Sequence, residues 1–142
     1  MSKKIPLFIS GEFVTSRSTR YTDVINPANQ EVLASVPHAT DDEMQAAIAA
    51  AKSAFISWRD VPVPERARYF LKYQHLLKQH QKEIAEILSQ ENGKTFADAM
   101  GDVWRGIEIV EHACTIPSLM MGETVENVAR GIDTYSNMQS LG

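Results

Sequence analysis

The spacing of apolar residues changes from a period of two to a helical period at about residue 40. This change constrains the fold more than any other feature of the sequence. Before it, Val32, Ala34 and Val36 lie two positions apart, as on one face of a half-buried strand. After it, apolar residues recur three and four positions apart over residues 44–58, as on one face of a helix. The chain is therefore predicted to begin as a β-rich arm and to continue as helices.

Two small hairpins are predicted within the arm. Residues 7–9 and 13–14 are β-prone and flank Ser10-Gly11-Glu12, which is a hairpin signal. A turn at Asn26-Pro27-Ala28-Asn29 separates Val24-Ile25 from the second β-prone run. Since two short hairpins are not stable alone in water, the arm is expected to lie on a larger body.

Three helices are predicted after the arm. The first begins at a capping box formed by Thr40 and Glu43. The second begins at the prolines 62 and 64, is interrupted by the polar run 78–83, and ends at Asn92-Gly93.

The third predicted helix begins at Thr95 and is bent or ended by Pro117. Its apolar side comprises Phe96, Met100, Val103, Ile107, Val110 and Cys114. An exposed or edge strand is predicted from Ile132 to Leu141, and the chain stops there without a turn, which is expected of a piece of a longer protein.

Length, charge and cysteine content exclude several functional classes. A chain of 142 residues with 44% hydrophobic and 23% charged residues is typical of one folded domain, and no apolar run approaches the length of a membrane span. A net charge of −4 argues against binding nucleic acid or acidic membranes. One cysteine excludes an intrachain disulfide framework. We expect a cytoplasmic location.

Most chemistry-bearing residues are better explained by structure than by catalysis. Gly93-Lys94-Thr95 lacks the earlier glycine and the preceding strand of a phosphate-binding loop, so a helix stop followed by an N-cap is favoured. Cys114 lies within the apolar side of the third helix and is predicted to be a core residue rather than a nucleophile. The four histidines lack metal-ligand spacing, so no metal site is predicted.

Arg105 is the single candidate for ligand binding. It projects away from the apolar side of the third helix, yet Ile109 lies on its side, and Gly101 and Gly106 are close by. Each mid-helix glycine costs about 1 kcal/mol relative to alanine, which indicates that a backbone or a ligand approaches here. We therefore expect both faces of this helix to be covered and Arg105 to be partly buried.

A partly buried guanidinium needs an acidic partner. The partner is either a substrate carboxylate or, in a purely structural ion pair, Asp102, Glu108 or a residue of another chain. Composition and spacing leave both alternatives open.

Several segments resemble the amino-terminal part of the aldehyde dehydrogenase superfamily. They are LFISGEFV (7–14), VINPA (24–28), EVLA (31–34), FISW (55–58), ERAR (65–68) and ENGKT (91–95). Three further segments are similar to the CoA-acylating branch that acts on methylmalonate semialdehyde: GDVWRGIE (101–108), PSLMMGE (117–123) and GIDTYS (131–136).

The resemblance implies an α/β parent enzyme with a Rossmann-like core, which oxidises methylmalonate or malonate semialdehyde with NAD and coenzyme A. It assigns residues 1–39 to a β arm, 40–122 to the helical part of the cofactor-binding domain and 123–142 to the start of an oligomerisation strand. Arg105 occupies the position that helps to hold the substrate carboxylate.

The resemblance also places the catalytic cysteine, the general-base glutamate and the NAD contacts beyond residue 142. The chain alone is therefore expected to be inactive and to bind no cofactor, with the rest of the dehydrogenase and like subunits as its partners. Two other interpretations remain: a non-catalytic helical interaction module, and part of a dehydrogenase that does not use CoA.

Overall fold

The arm at the start of the chain forms a small sheet and a separate hairpin. A computed structural model describes residues 3–141. The five strands of the arm are β1 (Lys3–Lys4), β2 (Leu7–Ile9), β3 (Glu12–Val14), β4 (Tyr21–Ile25) and β5 (Val32–Pro37). Strand β5 lies at the centre of a three-stranded sheet, parallel to β1 and antiparallel to β4.

Both predicted hairpins are present. Strands β2 and β3 pair antiparallel across Ser10 and Gly11, whose φ angles of 55° and 83° are those of a two-residue turn with left-handed residues. Strands β4 and β5 form the second hairpin. The pairing of Lys3 with Ala34 was not predicted from the sequence, because two lysines carry no strand pattern of their own.

Helices make up about half of the chain. They are α1 (Asp41–Trp58), α2 (Val63–Gln79), α3 (Gln81–Asn92), α4 (Phe96–Ala113) and the single turn α5 (Ile116–Leu119). The predicted interruption of the second helix is a complete break at His80, which separates α2 from α3. None of the helices between residues 3 and 141 combines the length and hydropathy needed to cross a membrane.

Helices α2, α3 and α4 pack together and contain the small core of the described residues. Ala67 of α2, Ala85 of α3 and Ala99 of α4 are buried, and Ile107 of α4 is the largest side chain that is fully buried. Alanines at these contacts allow the helix backbones to approach closely. Glu111 of α4 also links this helix to α2, because its Oε1 accepts hydrogen bonds from Lys78 Nζ at 2.6 Å and from Gln74 Nε2 at 2.7 Å.

Gly93 ends α3 and lies against the turn of the arm. Its φ of 69° is left-handed, as the helix stop predicts, and an added Cβ would lie 2.8 Å from Pro27 Cγ. The segments VINPA and ENGKT, distant in sequence, thus meet where the arm rests on the helices.

Glu43 is the main polar connection between the arm and the helices. It is buried, and its carboxylate accepts hydrogen bonds from the Thr40 N–H at 2.8 Å, the Arg17 N–H at 2.7 Å and Ser16 Oγ at 3.0 Å. The Thr40 side chain in turn accepts from the Glu43 N–H, which confirms the predicted capping box. The backbone bonds from Thr40 and Arg17 lower the pKa of Glu43 from 4.5 to about 2.

This lowered pKa predicts the acid sensitivity of the arm. Because the folded pKa lies below the unfolded one, the stabilisation is fully present above about pH 4.5 and is lost as the pH falls towards 2. We expect Glu43→Gln to lower the urea midpoint of unfolding at pH 7. The midpoint of this variant should also fall less steeply between pH 4.5 and pH 2 than that of the unsubstituted chain, as measured by urea unfolding at a series of pH values. The control is Glu86→Gln at an exposed position of α3, expected to change stability at pH 7 by less than about 0.5 kcal/mol. If the urea midpoints of Glu43→Gln and of the unsubstituted chain fell in parallel as the pH is lowered, this role of Glu43 would be contradicted.

At the end of the helical region one sequence prediction agrees with the structure and one needs correction. Helix α4 ends at Ala113, four residues before Pro117, in agreement with the prediction that Pro117 bends or ends it, because a proline ring clashes with the carbonyl of the residue four positions earlier. The strand predicted from Ile132 to Leu141 is present only as β7 (Ile132–Tyr135). It does not stand alone, since it pairs antiparallel with β6 (Thr124–Ala129) around a turn at Gly131, where φ is 74°.

The apolar faces of α1 and α4 are less covered than their spacing suggests. On α1 the predicted stripe is helical, but Met44 and Ile48 are each about half exposed. On α4 Ile107 is buried, whereas Ile109 on the opposite side is 72% exposed. The expectation that both faces of α4 are covered is therefore wrong for the described residues 3–141.

Candidate functional site

Arg105 projects from the exposed side of α4 and has one acidic partner among residues 3–141. Its Nη1 donates to Asp102 Oδ1 at 2.7 Å, one helical turn earlier. Its side chain is 72% exposed, so the predicted partial burial is wrong within residues 3–141. Of the partners left open by the sequence, Asp102 is the one that it contacts.

Asp102 is shared between two cations. Its second oxygen, Oδ2, accepts from Lys94 Nζ at 2.5 Å. The hydrogen bond and charge of Lys94, and then the charge of Arg105, lower the pKa of Asp102, which keeps it ionised at neutral pH. We refer to Lys94, Asp102 and Arg105 as the Arg105 cluster.

The backbone around Gly93 positions the Arg105 cluster. Gly93 ends α3, and Thr95 caps α4 by accepting from the Asp98 N–H at 3.2 Å. Lys94 lies between them, and its carbonyl accepts from Ser89 Oγ at 2.7 Å. The short connection holds the lysine over the second turn of α4, where Asp102 lies.

The Arg105 cluster carries two positive charges and one negative charge. A guanidinium has five N–H donors, and Asp102 engages one nitrogen of Arg105 through a single bond. The neighbouring glycines leave the helix surface open, since an added Cβ at Gly101 or Gly106 would meet nothing within 4 Å among the described residues. An oxyanion can therefore approach Arg105 without displacing Asp102.

Cys114, His80 and His38 each lie within hydrogen-bond distance of a neighbouring group. Cys114 is half-buried, and its thiol donates to the Val110 carbonyl at 3.2 Å. Among residues 3–141 no group of three histidine, cysteine, aspartate or glutamate side chains could hold a metal ion. His80 is bonded to Glu83 at 2.8 Å, and His38 is bonded to Thr22 at 2.7 Å.

Lys94 belongs to the candidate site, although the sequence analysis did not place it there. The available signal was its place directly before the N-cap Thr95, from which a long side chain can reach an acid two helical turns into α4.

The comparisons with known proteins agree on one group. The profile of the aldehyde dehydrogenase family matches residues 13–142. The chain is 50% identical over 138 residues to the mitochondrial, acylating methylmalonate-semialdehyde/malonate-semialdehyde dehydrogenase of Homo sapiens. This match covers 97% of the chain and 26% of the human protein, so the chain spans about a quarter of the length of that relative.

Solved structures give the same result. A protein from Sinorhizobium meliloti 1021 assigned as a methylmalonate-semialdehyde dehydrogenase, determined in complex with NAD, matches the whole chain and 29% of its own length, with a TM-score of 0.93 and 40% identity. The methylmalonate-semialdehyde dehydrogenase of Oceanimonas doudoroffii matches 96% of the chain and 28% of its own length, with a TM-score of 0.90 and 41% identity.

Proposed function

Because the chain belongs to the aldehyde dehydrogenase family, we propose that it works as part of an NAD-dependent, CoA-acylating dehydrogenase of methylmalonate or malonate semialdehyde. The proposed overall reaction converts the semialdehyde, NAD and CoA to an acyl-CoA, carbon dioxide and NADH. The aldehyde hydrogen leaves as hydride to NAD, and the CoA sulfur, which loses its proton, forms the thioester. The carboxylate leaves as carbon dioxide, and the carbon that carried it takes up one proton, so that the overall reaction balances. Close similarity to enzymes of this name over nearly the whole chain supports the assignment.

The Arg105 cluster is the contribution we propose for this chain. Both substrates bear a carboxylate beside the aldehyde, and arginine binds a carboxylate through two parallel hydrogen bonds. The observation that carries the proposal is the open guanidinium of Arg105, held by Asp102 through one nitrogen in a cluster with net charge +1. A carboxylate fixed there would orient the aldehyde for attack by a nucleophile.

NAD is expected to bind outside the residues described. The strand-to-helix connection from β5 to α1 reads His38-Ala39-Thr40 and contains no glycine, so it does not fit a pyrophosphate. We also propose that the catalytic cysteine and glutamate lie in the part of the enzyme that this chain does not span.

The organisation proposed for the chain follows its elements. Residues 1–39 form the arm, 40–122 the helical part of the cofactor-binding domain, and 123–142 the start of the oligomerisation region. The rest of the dehydrogenase is the proposed partner for the open faces of α1 and α4, and like subunits are the proposed partners for the terminal hairpin. A cytoplasmic location stays a prediction.

A chimera tests the proposed function. Residues 1–142 replace the matching segment of the Sinorhizobium meliloti protein, and NADH and acyl-CoA formation are measured with malonate semialdehyde, NAD and CoA. We expect turnover by the chimera and none by the 142-residue chain alone. NADH formation with a free acid and no acyl-CoA, while CoA is present, would instead indicate the branch that does not use CoA.

Two results would overturn the proposal. One is turnover by the 142-residue chain alone that is abolished by a substitution within it. The other is a folded chimera that binds NAD and reacts with neutral aldehydes but not with either semialdehyde.

A further inference from the structure

A second arginine, Arg66 of α2, lines a cavity outside the Arg105 cluster and has no acidic partner among residues 3–141. Its Nε is fully buried and has no hydrogen-bond partner in that part of the chain. The contact recorded for its guanidinium is weak, since Nη2 lies 3.8 Å from Met120 Sδ. A thioether sulfur is a poor acceptor for a cation, so the charge of Arg66 is not compensated by any group of residues 3–141.

The cavity has a volume of about 360 Å³ and lies at the connection between α1 and α2. Its wall includes Arg59, Asp60, Arg66 and Met120, together with residues 138–140 that follow β7. This space is far larger than a single water molecule occupies.

The charges around the cavity favour an anion. Asp60 is already engaged with Arg59, whose Nε lies 3.5 Å from Asp60 Oδ1. Among the described residues, the lining therefore carries two positive charges and one negative charge, and the positive charge without an acidic partner is that of Arg66. Helix α2 also begins here, with Pro62 at the N-cap position and no side-chain cap, so the partial positive charge at its first turn adds to the same field.

We propose that this cavity, the Arg66 cavity, is an oxyanion site in which the guanidinium of Arg66 binds a carboxylate or phosphate group. The planar fork of arginine matches both groups, and a half-buried cation without an acid is stabilised when one arrives. The same chemistry is offered by a free small anion and by an acidic side chain of a longer polypeptide. The site is separate from the Arg105 cluster and does not depend on the dehydrogenase assignment.

The test follows the side chain of Arg66 directly. The ¹⁵N-labelled 142-residue chain is titrated with inorganic phosphate and, separately, with malonate, and the Nε–H resonances of its arginines are recorded by NMR. We expect a saturable shift of the Arg66 resonance, identified by its loss in Arg66→Lys. In Arg66→Met the anion should bind at least about tenfold more weakly, as judged from the backbone amides of residues 59–66, because a charge-assisted hydrogen bond is lost.

The matched control is Arg68→Met, an exposed arginine on the same helix, which should leave the titration unchanged. The second arm records the Arg66 resonance in the chimera without added anion. A resonance already shifted there, and insensitive to phosphate, identifies the oxyanion as a protein carboxylate. Two results would overturn the proposal. One is that the anion shifts the backbone amides of residues 59–66 equally in Arg66→Met and Arg68→Met. The other is that the Arg66 resonance is moved neither by the anions nor by incorporation into the chimera.

Discussion

Replacing Arg105 with alanine in the chimera is expected to raise the Michaelis constant for malonate semialdehyde about 10- to 100-fold. Charge-assisted hydrogen bonds contribute about 1.5–3 kcal/mol each, and 1.4 kcal/mol corresponds to a factor of ten. Arg105→Lys keeps the charge but loses the planar fork, so an intermediate Michaelis constant is expected. Initial rates over a range of semialdehyde concentrations measure both variants.

This prediction has two controls, a substrate without a carboxylate and a variant at an exposed arginine. Propanal carries no carboxylate, so its kinetics should be the same before and after Arg105→Ala. Arg68→Ala, at an exposed position of α2, should alter neither substrate. If Arg105→Ala instead lowers the melting temperature and affects both aldehydes equally, the contact with Asp102 is structural and the ligand role is wrong.

The largest effect on stability is expected from Ile107→Ala. Ile107 is 1% exposed and lies in the contact of α4 with its neighbouring helices, where the removed methyl groups leave a cavity. Such substitutions cost about 2–5 kcal/mol. Urea unfolding of the 142-residue chain, followed by circular dichroism, measures the loss.

Ile109→Ala is the matched control, because Ile109 lies on the same helix and is 72% exposed. It should change the free energy of unfolding by less than about 0.5 kcal/mol. Should Ile107→Ala fail to fold, Ile107→Val is expected to cost about 1 kcal/mol. Equal losses for the alanine variants at 107 and 109 would show that the core lies elsewhere.

Local signals in the sequence predicted the local structure well. The capping box at Thr40 and the left-handed stop at Gly93 each follow from the chemistry of a few adjacent residues, and both are present. Non-local pairing was not predictable in this way. Strand β1 exists because Lys3 and Lys4 lie beside β5, and nothing in the two lysines indicates it.

Periodicity finds an apolar face but does not say what covers it. The apolar stripe of α1 lies on a helix as predicted, yet Met44 and Ile48 are each about half exposed. The same limit applies to Arg105. Its position on α4 was predictable, whereas its exposure depends on whether another part of the protein lies against α4, which the spacing of residues does not reveal.

The hairpin of β6 and β7 has a consequence for how the protein matures. Every residue of both strands is exposed, and an isolated two-stranded ribbon is at best marginally stable in water. The hairpin is therefore expected to become ordered only when another protein surface packs against it. If that surface belongs to a second molecule, the final step of maturation becomes bimolecular, and its rate rises with the amount of protein the cell has made.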